Sequence, residues 1–284
     1  MSERLSLLLP VWAGDRPEFL RAAFRSTVDD QSRRPDQVVV VRDGPVGAEL
    51  ADCLEELAAT SPVPVDLVAL DRNVGLGPAL DAGLEACRYP LVARMDADDI
   101  SLPHRFERQL PLLEQGADLV GSALLEFDTD PDDIVGVRIP PTDPDEIWAR
   151  ARFANPFNHP TVVYRRDLVR EVGGYTDFRL MEDYLLWARL IMAGARVANV
   201  AEPLVKYRVG AGAYARRGGL GQLRAELALQ RRFRRIGFTT PGQFARNVLV
   251  RGGYRLVPVG VRRLAYRRFI ARYHPKRESA PHEA

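Results

Sequence analysis

LVARMDADDISLP, residues 91–103, is the stretch that decides how this 284-residue chain folds. It begins as an apolar run with the composition of a buried strand and ends in three carboxylates, Asp96, Asp98 and Asp99. So much negative charge at a strand end costs free energy unless a cation or hydrogen-bond donors offset it. Carboxylate oxygens suit Mg²⁺ or Mn²⁺, which bind through one or two side chains and substrate phosphates. We therefore predict a divalent-metal site at Asp96 and Asp98; the alternative is an acidic turn that caps the next helix.

Similar apolar runs recur along the first two-thirds of the chain and alternate with helical patterns. Strands are predicted at Leu5–Leu9, Gln37–Val41, Val65–Leu70, Leu91–Met95 and Asp118–Phe127, and helices at Pro17–Asp29, Ala48–Thr60, Gly77–Cys87 and Pro103–Gln115. The strands are continuous apolar runs, which is typical of parallel strands covered on both faces. This order predicts an α/β fold with a doubly wound sheet, where ligands bind beyond the carboxyl ends of the strands.

The rest of the chain has a different pattern. Residues 128–160 are rich in Asp, Pro and Asn and are predicted to form loops around a site. A helix follows at Tyr184–Ala193, then short strands near Arg196–Val200 and Leu204–Arg208, and the sequence beyond Gly212 is helical and rich in arginine.

The charge is divided between the two ends of the chain. Residues 205–284 hold 19 Lys and Arg against three Glu, which leaves 21 basic and 35 acidic residues in 1–204. The first part therefore carries about −14 and the second about +16, so we expect them to face different partners.

No apolar run approaches the ~18 residues of a membrane span, and the apolar N-terminus is too short for a signal peptide. The only cysteines, Cys53 and Cys87, suggest reduced thiols, so we expect a cytoplasmic protein.

Two further strand ends carry polar residues suited to a ligand. In VVVVRDGP, residues 38–45, Asp43 can accept a hydrogen bond from a nucleobase N–H, and Gly44 allows the chain to turn close to that ligand. In LDRNVGLGPALDAGL, residues 70–84, a helix opens through Asn73 and Gly75, and backbone amides at a helix start suit a diphosphate. An ordinary Asp-Gly turn and a structural helix start are the respective alternatives.

A second pair of carboxylates opens a later helix. In GGYTDFRLMEDYLLW, residues 173–187, Glu182 and Asp183 lie in the first helical turn, where one of them can deprotonate a hydroxyl nucleophile. The alternative is that both carboxylates complement the helix dipole, which is a common arrangement.

Taken together and in order, seven segments resemble the inverting GT-A glycosyltransferases of family 2, in particular the bacterial exopolysaccharide (amylovoran-type) members. The segments are SLLLPVW, VRDGP, RNVGLGPALDAGL, ARMDADDISLP, NPFNHPTVVYR, GGY and EDYLLW. The resemblance runs from about Leu5 to Arg217, roughly three-quarters of the chain. The resemblance implies a GT-A catalytic domain over 1–212, with a donor half over about 1–127 and an acceptor half over about 128–212. Residues 213–284 would form a basic helical extension.

The same resemblance implies the transfer of one sugar, with inversion, from a nucleotide-diphospho-sugar to an acceptor hydroxyl. Nucleotide contacts would come from Pro10, Val11 and Asp43, further donor contacts from Asn73, Gly75 and Asp96, the metal site from Asp96 and Asp98, and the base from Asp183 beside Glu182. On the acceptor side we place Gly174, His159 and Trp187. His159 could instead be a third metal ligand or pack under a proline-flanked loop, and Trp187 is either part of the core or a platform for a sugar ring.

The sequence departs from the family at two points. Arg42 stands where many relatives have Asp, so recognition of the base can differ, and the QxxRW motif of processive synthases is absent, which favours transfer of a single sugar. The donor is expected to be UDP- or dTDP-linked, and the acceptor a saccharide or a lipid-linked saccharide.

Other classes of protein fit less well. A nucleotidyltransferase that makes sugar nucleotides needs a Gly-rich loop after the first strand, where PVWAGDRPEF has one Gly. An aspartyl-nucleophile phosphatase carries its DxD after the first strand and a later Lys, yet the first Lys here is Lys206. A non-catalytic sugar-binding protein on the same fold stays open, because only an assay separates it from an enzyme.

The arginine-rich tail suggests a membrane surface. GYRLVPVGVRRLAYRRFIARYHPKR, residues 253–277, interleaves Arg with apolar residues, which is typical of a basic helix lying on anionic lipid. The alternatives are pairing with the acidic catalytic domain and a solvated helix pair that completes the fold. Nucleic acid is not expected as a partner, because the neighbouring domain carries about −14.

Overall fold

Four of the apolar runs form a parallel half-sheet. The computed structural model describes residues 3–209 and 219–256, with side chains up to Tyr254. The strands are β1 (Leu5–Trp12), β2 (Gln37–Asp43), β3 (Val65–Ala69) and β4 (Leu91–Arg94), in the spatial order β3-β2-β1-β4. Because β1 lies between β2 and β4, the strand order reverses there, and the predicted doubly wound arrangement is confirmed.

Helices cover both faces of this half-sheet, which explains why its strands are apolar throughout. They are α1 (Pro17–Val28), α2 (Ala48–Thr60) and α3 (Leu76–Ala86). Leu8 and Val39 pack with Leu80 of α3, whereas their chain neighbours point to the other face and pack with Leu20 and Phe24 of α1. Alternate residues of a strand point to opposite faces, so both sets are buried.

The second half of the sheet is mixed. Its elements are β5 (Ile100–Ser101), α4 (Arg105–Glu114), β6 (Leu119–Phe127), β7 (Ile134–Arg138), α5 (Pro144–Ala151), β8 (Val163–Arg165), α6 (Arg166–Glu171), α7 (Glu182–Met192) and β9 (Val197–Arg208). The sheet continues from β4 through β8, β6 and β9 to β5, with β7 paired to β6. Strand β8 is antiparallel to both β4 and β6, whereas β9 is parallel to β6.

Residues 128–160 are not only loops, which corrects the prediction. They contain β7, a short strand that pairs only with β6, and α5, which begins at Pro144. The side chain of Asp143 accepts a hydrogen bond from the backbone N–H of Glu146, so Asp-Pro here starts a helix and does not form a loop. The two strands predicted near Arg196–Val200 and Leu204–Arg208 are one strand, β9, with irregular pairing in its middle.

Part of the arginine-rich extension completes the core of the preceding domain. It forms α8 (Leu220–Arg235), α9 (Pro241–Asn247), a π-helical turn (Val248–Gly252) and α10 (Gly253–Leu256). Leu229 and Phe233 are fully buried, and the Phe233 ring lies 5.0 Å from that of Tyr184 in α7. Arg251 pairs with the buried Glu226 and donates a hydrogen bond to the Phe153 carbonyl. These described residues of the extension therefore pack on α7, and they do not decide between the alternatives for residues 253–277.

The segment predicted to bind membrane, 253–277, lies outside the described residues except for its first four. Among the helices that are described, none combines the length and the apolar character that a bilayer crossing requires.

Candidate active site

A cavity of about 840 Å³ lies at the carboxyl ends of β1, β2 and β4, where the strand order reverses. Its wall includes eight of the residues that were predicted for the site: Pro10, Val11, Asp43, Asn73, Gly75, Asp96, Asp98 and Glu182. Four others, Asp183, Gly174, His159 and Trp187, are not among its lining residues. The parallel strands thus bring distant segments to one place, as expected for this type of sheet.

Three carboxylates crowd the end of β4. One oxygen from each of Asp96, Asp98 and Asp99 lies within 4.8 Å of the others. Burial and the charge of Asp96 raise the pKa of Asp98 to about 6, and burial with both neighbouring charges raises the pKa of Asp99 well above its usual value. Asp99 accepts a hydrogen bond from the Arg208 backbone N–H at 2.9 Å, but its other oxygen has no partner among the described residues. Such a set of hard oxygens fits Mg²⁺ or Mn²⁺.

A buried arginine lies beside these carboxylates. Arg94, the last residue of β4, is 2% exposed and donates from Nη1 to Asp96 Oδ2 at 2.6 Å, with Nη2 close to the other oxygen. This bidentate ion pair fixes the orientation of the Asp96 carboxylate and offsets part of the local negative charge. No role was predicted for Arg94, although it is the one charged residue within the apolar run that precedes Asp96.

Asp43 organises the loop that opens α3. Its Oδ1 accepts a hydrogen bond from the Val74 N–H at 2.7 Å, and its Oδ2 accepts one from the Gly75 N–H at 3.0 Å. Each carboxylate oxygen has a second lone pair, so a contact with a ligand N–H stays compatible with this arrangement. The sequence predicted Asp43 at the site but not that it would hold the neighbouring loop.

A close backbone approach brings Glu182 to the cavity that Asp96 and Asp98 line. A Cβ atom on Gly77 would lie 2.4 Å from the Thr176 carbonyl oxygen and 3.2 Å from Glu182 Cβ, so the start of α3 contacts the segment that leads into α7. Only glycine permits this spacing. Glu182 therefore shares a wall with Asp43 and Asp96 although the chain separates them widely.

Replacement of Gly44 by Ala is expected to lower the free energy of unfolding by about 2 kcal/mol. Gly44 has a φ of +86°, and a Cβ there would lie 2.5 Å from the Asn73 backbone nitrogen. Urea-induced unfolding measures the change. Gly242→Ala is the control, because a Cβ on this residue of α9 would have nothing within 4 Å; its stability should be unchanged or higher by up to about 1 kcal/mol. Equal effects in both variants would contradict this explanation.

The two candidate bases differ in their surroundings. Glu182 is buried and lines the cavity, and burial together with the charge of Asp183 raises its pKa to about 7. Asp183 accepts hydrogen bonds from Asn155 Nδ2 and from the Tyr184 N–H, both at 2.7 Å. Burial raises the pKa of Asp183, and these two hydrogen bonds oppose the rise. A carboxylate with a raised pKa is a stronger base than an exposed one.

Trp187 is a core residue, which is the first of the two alternatives given for it. Its side chain is fully buried, and its ring lies edge-on to those of Phe157 and His159, with 5.8 Å between centroids in each case. A ring without exposed surface cannot stack on a ligand.

His159 and Gly174 also have structural partners. The Nε2 atom of His159 lies 3.1 Å from the Tyr175 hydroxyl, and burial with the nearby Arg94 charge lowers the pKa of His159 well below its usual value, so the ring is neutral. Gly174 has a φ of +59°, and a Cβ there would lie 2.0 Å from an Asp81 carboxylate oxygen. The contacts of His159 are therefore those of a packed side chain, as in the alternative given for it. Gly174 allows a tight turn of the backbone.

Several lining residues were not predicted as site residues, among them Trp12, Asp15, Tyr207 and Arg208. The Trp12 side chain is 54% exposed, and its backbone N–H donates to Asp15 Oδ2 at 2.9 Å. Arg208 lies over the Phe19 ring at 3.8 Å and donates to the Asp98 carbonyl at 3.1 Å. A tryptophan directly after an apolar run was a usable sequence signal for Trp12, whereas Arg208 reaches the site from the far end of β9.

Comparisons with known proteins show the family of the chain. A family model described as glycosyl transferase family 2 matches residues 6–173. The amylovoran biosynthesis glycosyltransferase AmsE of Erwinia amylovora is 37% identical over 92% of this chain and 97% of its own length. The UDP-Gal:alpha-D-GlcNAc-diphosphoundecaprenol beta-1,3-galactosyltransferase of Escherichia coli is 31% identical over 95% of this chain and 98% of its own.

Among solved structures, the mannosyltransferase PcManGT of Pyrobaculum calidifontis, in complex with GDP-Man and Mn²⁺, is similar with a TM-score of 0.64. It is 16% identical, and the match covers 95% of this chain and 76% of that one. At this identity the likeness concerns the fold alone, and it confirms the predicted GT-A type.

Proposed function

The chain belongs to glycosyl transferase family 2 and is a glycosyltransferase, and from this premise we propose that it moves one sugar from a nucleotide-diphospho-sugar to an acceptor hydroxyl with inversion. One observation carries the proposal. A single cavity at the reversal of the strand order has Asp96 and Asp98, the start of α3 with the loop before it, and Glu182 in its wall. Carboxylates for a metal and backbone amides at a helix start for a diphosphate are groups that such a transfer requires. Glu182 also brings the first turn of α7, which carries the proposed base Asp183, to this wall.

In the proposed reaction the residues that line the cavity bind the donor and the metal. Pro10, Val11 and Asp43 bind the nucleoside, and the loop with Asn73 and Gly75 lies beside the diphosphate. Asp96 and Asp98 would hold a divalent ion, which neutralises charge on the leaving diphosphate when bound. Arg94 keeps the Asp96 carboxylate in place for this role.

Asp183 is proposed as the base. It takes the proton of the acceptor hydroxyl while that oxygen bonds to the anomeric carbon and the bond from that carbon to the nucleoside diphosphate breaks. The hydrogen bonds from Asn155 and Tyr184 support this role because they orient the carboxylate. Glu182 is the competing candidate because it lines the cavity.

The substrates are proposed from chemistry and from the relatives. A UDP- or dTDP-linked sugar is the expected donor, and the Escherichia coli relative carries UDP-Gal in its name. The acceptor is proposed to be a lipid-linked saccharide, as in the name of that relative, within the synthesis of an exopolysaccharide or a cell-surface glycan. Attachment to the inner face of the plasma membrane through residues 253–277 is proposed from the sequence pattern alone, as is the domain boundary near residue 212.

A thermal-shift panel of nucleotide sugars with and without Mn²⁺ tests the proposal. A donor at 100 times its Kd stabilises the folded protein by about 2.7 kcal/mol, so the true donor should raise Tm by several degrees only when metal is present. Stabilisation by nucleoside triphosphates with sugar phosphates, and by no nucleotide sugar, would favour the nucleotidyltransferase. Stabilisation by sugars without nucleotide would favour a non-catalytic binding protein.

A further inference from the structure

A second cavity of about 590 Å³ adjoins the first. The two share the segment Asp177–Leu180, which connects α6 to α7. Residues of α8 form the other wall: Gly221, Arg224, Ala225 and Ala228. The C-terminal extension therefore contributes a surface directly beside the proposed transfer site, and nothing in the proposed reaction with the donor uses this surface.

We propose that this second cavity binds the diphosphate and the first prenyl units of a lipid-linked acceptor. The inference rests on the proposed function and extends it by assigning a site to the lipid side of the acceptor. In such an acceptor the attacking hydroxyl and the diphosphate lie on opposite sides of one sugar ring. When the hydroxyl reaches the donor in the first cavity, the diphosphate must lie about one ring away. A cavity that shares a wall with the first has this position.

The charge of the wall suits a diphosphate. Arg179 and Arg224 are both exposed, and within residues 3–209 and 219–256 neither guanidinium has a hydrogen-bond or ion-pair partner. Arginine binds phosphate oxygens through paired N–H groups, which gives geometric specificity as well as charge. Asp177 is the one acidic residue among the described lining residues. Because Arg179 also lines the first cavity, Arg224 is the residue that distinguishes the two sites.

The remaining wall is apolar. Phe178, Leu180, Ala225 and Ala228 lie beside the two arginines, and the Leu180 side chain is 49% exposed. Leu180 also has a φ of +73°, the only positive φ of a non-glycine residue in the described chain. The backbone of a leucine is sterically strained at a positive φ, and residues in strained backbone conformations are concentrated at active sites and ligand-binding sites. An apolar surface that continues from a pair of arginines matches the prenyl chain that follows a diphosphate.

The test is a calorimetric titration of the full-length protein with farnesyl diphosphate, below its micelle concentration. The nucleoside diphosphate identified by the thermal-shift panel and Mg²⁺ are present in excess, so the first cavity is occupied. We expect binding to the wild type and a Kd about tenfold higher in Arg224→Ala, because a charge-assisted hydrogen bond is lost. Arg224→Lys keeps the charge and should lose about threefold or less.

Three controls make the result specific. Arg234→Ala removes another exposed arginine of α8 that lines neither cavity, and its Kd should stay within about twofold of the wild type. Inorganic pyrophosphate should bind at least about tenfold more weakly than farnesyl diphosphate, because it lacks the apolar chain. Asp177→Asn should bind farnesyl diphosphate more tightly, because it removes the one negative charge of the wall.

Equal binding of farnesyl diphosphate to the wild type and Arg224→Ala would overturn the proposal, as would pyrophosphate binding as tightly as the prenyl compound. Both results leave nucleotide binding, and thus the proposed function, intact. Failure of every nucleotide to bind in the thermal-shift panel would instead reject the proposed function and this inference with it.

Discussion

Asp98→Asn should lower kcat by roughly 10²–10³ while the protein folds normally, since a metal that stabilises a leaving group contributes several kcal/mol. Asn keeps the shape of the side chain but removes one negative ligand from the proposed metal site. Asp98 carries a pKa raised to about 6 by burial and by the charge of Asp96, so its replacement by a neutral residue relieves repulsion in the metal-free protein. The Tm without metal is therefore expected to be unchanged or higher.

Donor titrations with Mn²⁺ and with EDTA show whether the loss comes from the metal. The wild type should bind the donor much more tightly with Mn²⁺, whereas Asp98→Asn should show little difference between the two conditions. Asp133→Asn, a change at an exposed acidic residue that lines neither cavity, should behave as the wild type. A wild-type donor affinity that does not change with EDTA would contradict the proposed metal site at Asp96 and Asp98.

Asp183→Asn should lower kcat by about 10²–10⁴ with donor binding nearly intact, because the base acts on the acceptor. Glu182→Gln is the matched comparison, one residue away in the same helical turn, and should be milder. Steady-state kinetics with saturating donor measure both variants. If Glu182→Gln is the more damaging change, the residue that lines the cavity is the base and the assignment of the pair is reversed.

The pH dependence gives a second measure of the same role. The base must be ionised, and burial raises the pKa of Asp183 while Tyr184 and Asn155 oppose the rise and the Arg94 charge favours ionisation. Wild-type kcat should therefore fall as pH falls through this raised pKa and stay level above it. The residual activity of Asp183→Asn should lack this acid limb. A limb that persists in Asp183→Asn and disappears in Glu182→Gln would identify Glu182 as the titrating base.

The sequence predicted the sheet and the position of the cavity because both depend on local patterns. Continuous apolar runs mark β1, β2 and β4, and the carboxyl ends of parallel strands meet at one edge, so Pro10, Asp43 and Asp96 were expected together. Asp43 and Asp96 follow their strands directly, which leaves little freedom in where they lie. The lining of the cavity confirms that these three residues share it.

Side-chain direction was harder to predict, because it depends on helix phase and on partners far along the chain. Successive residues of a helix point about 100° apart, so Glu182 lines the cavity and Asp183 turns to Asn155. A tryptophan at position 187 is compatible with the core and with a ligand-binding surface, so the sequence alone does not decide between them. Its full burial follows from packing with Phe157 and His159.

The burial of individual arginines in the arginine-rich tail was equally hard to predict. Its composition distinguishes it from the acidic first part, but it does not reveal which arginines are internal. Arg251 lies against Glu226 and the Phe153 carbonyl, whereas Arg224 is exposed beside a cavity. This difference depends on how α8 packs on α7 through Phe233 and Tyr184, which are 49 positions apart in the chain.

The stereochemistry of the product tests the central claim most directly. Nuclear magnetic resonance of the glycoside formed from the identified donor reports the anomeric configuration through the coupling of the anomeric proton. Single displacement assisted by a carboxylate base predicts that the configuration of the donor is inverted in the product. A product with the donor's configuration retained would contradict the proposed mechanism, because it would require a covalent intermediate or attack from the side of the leaving group.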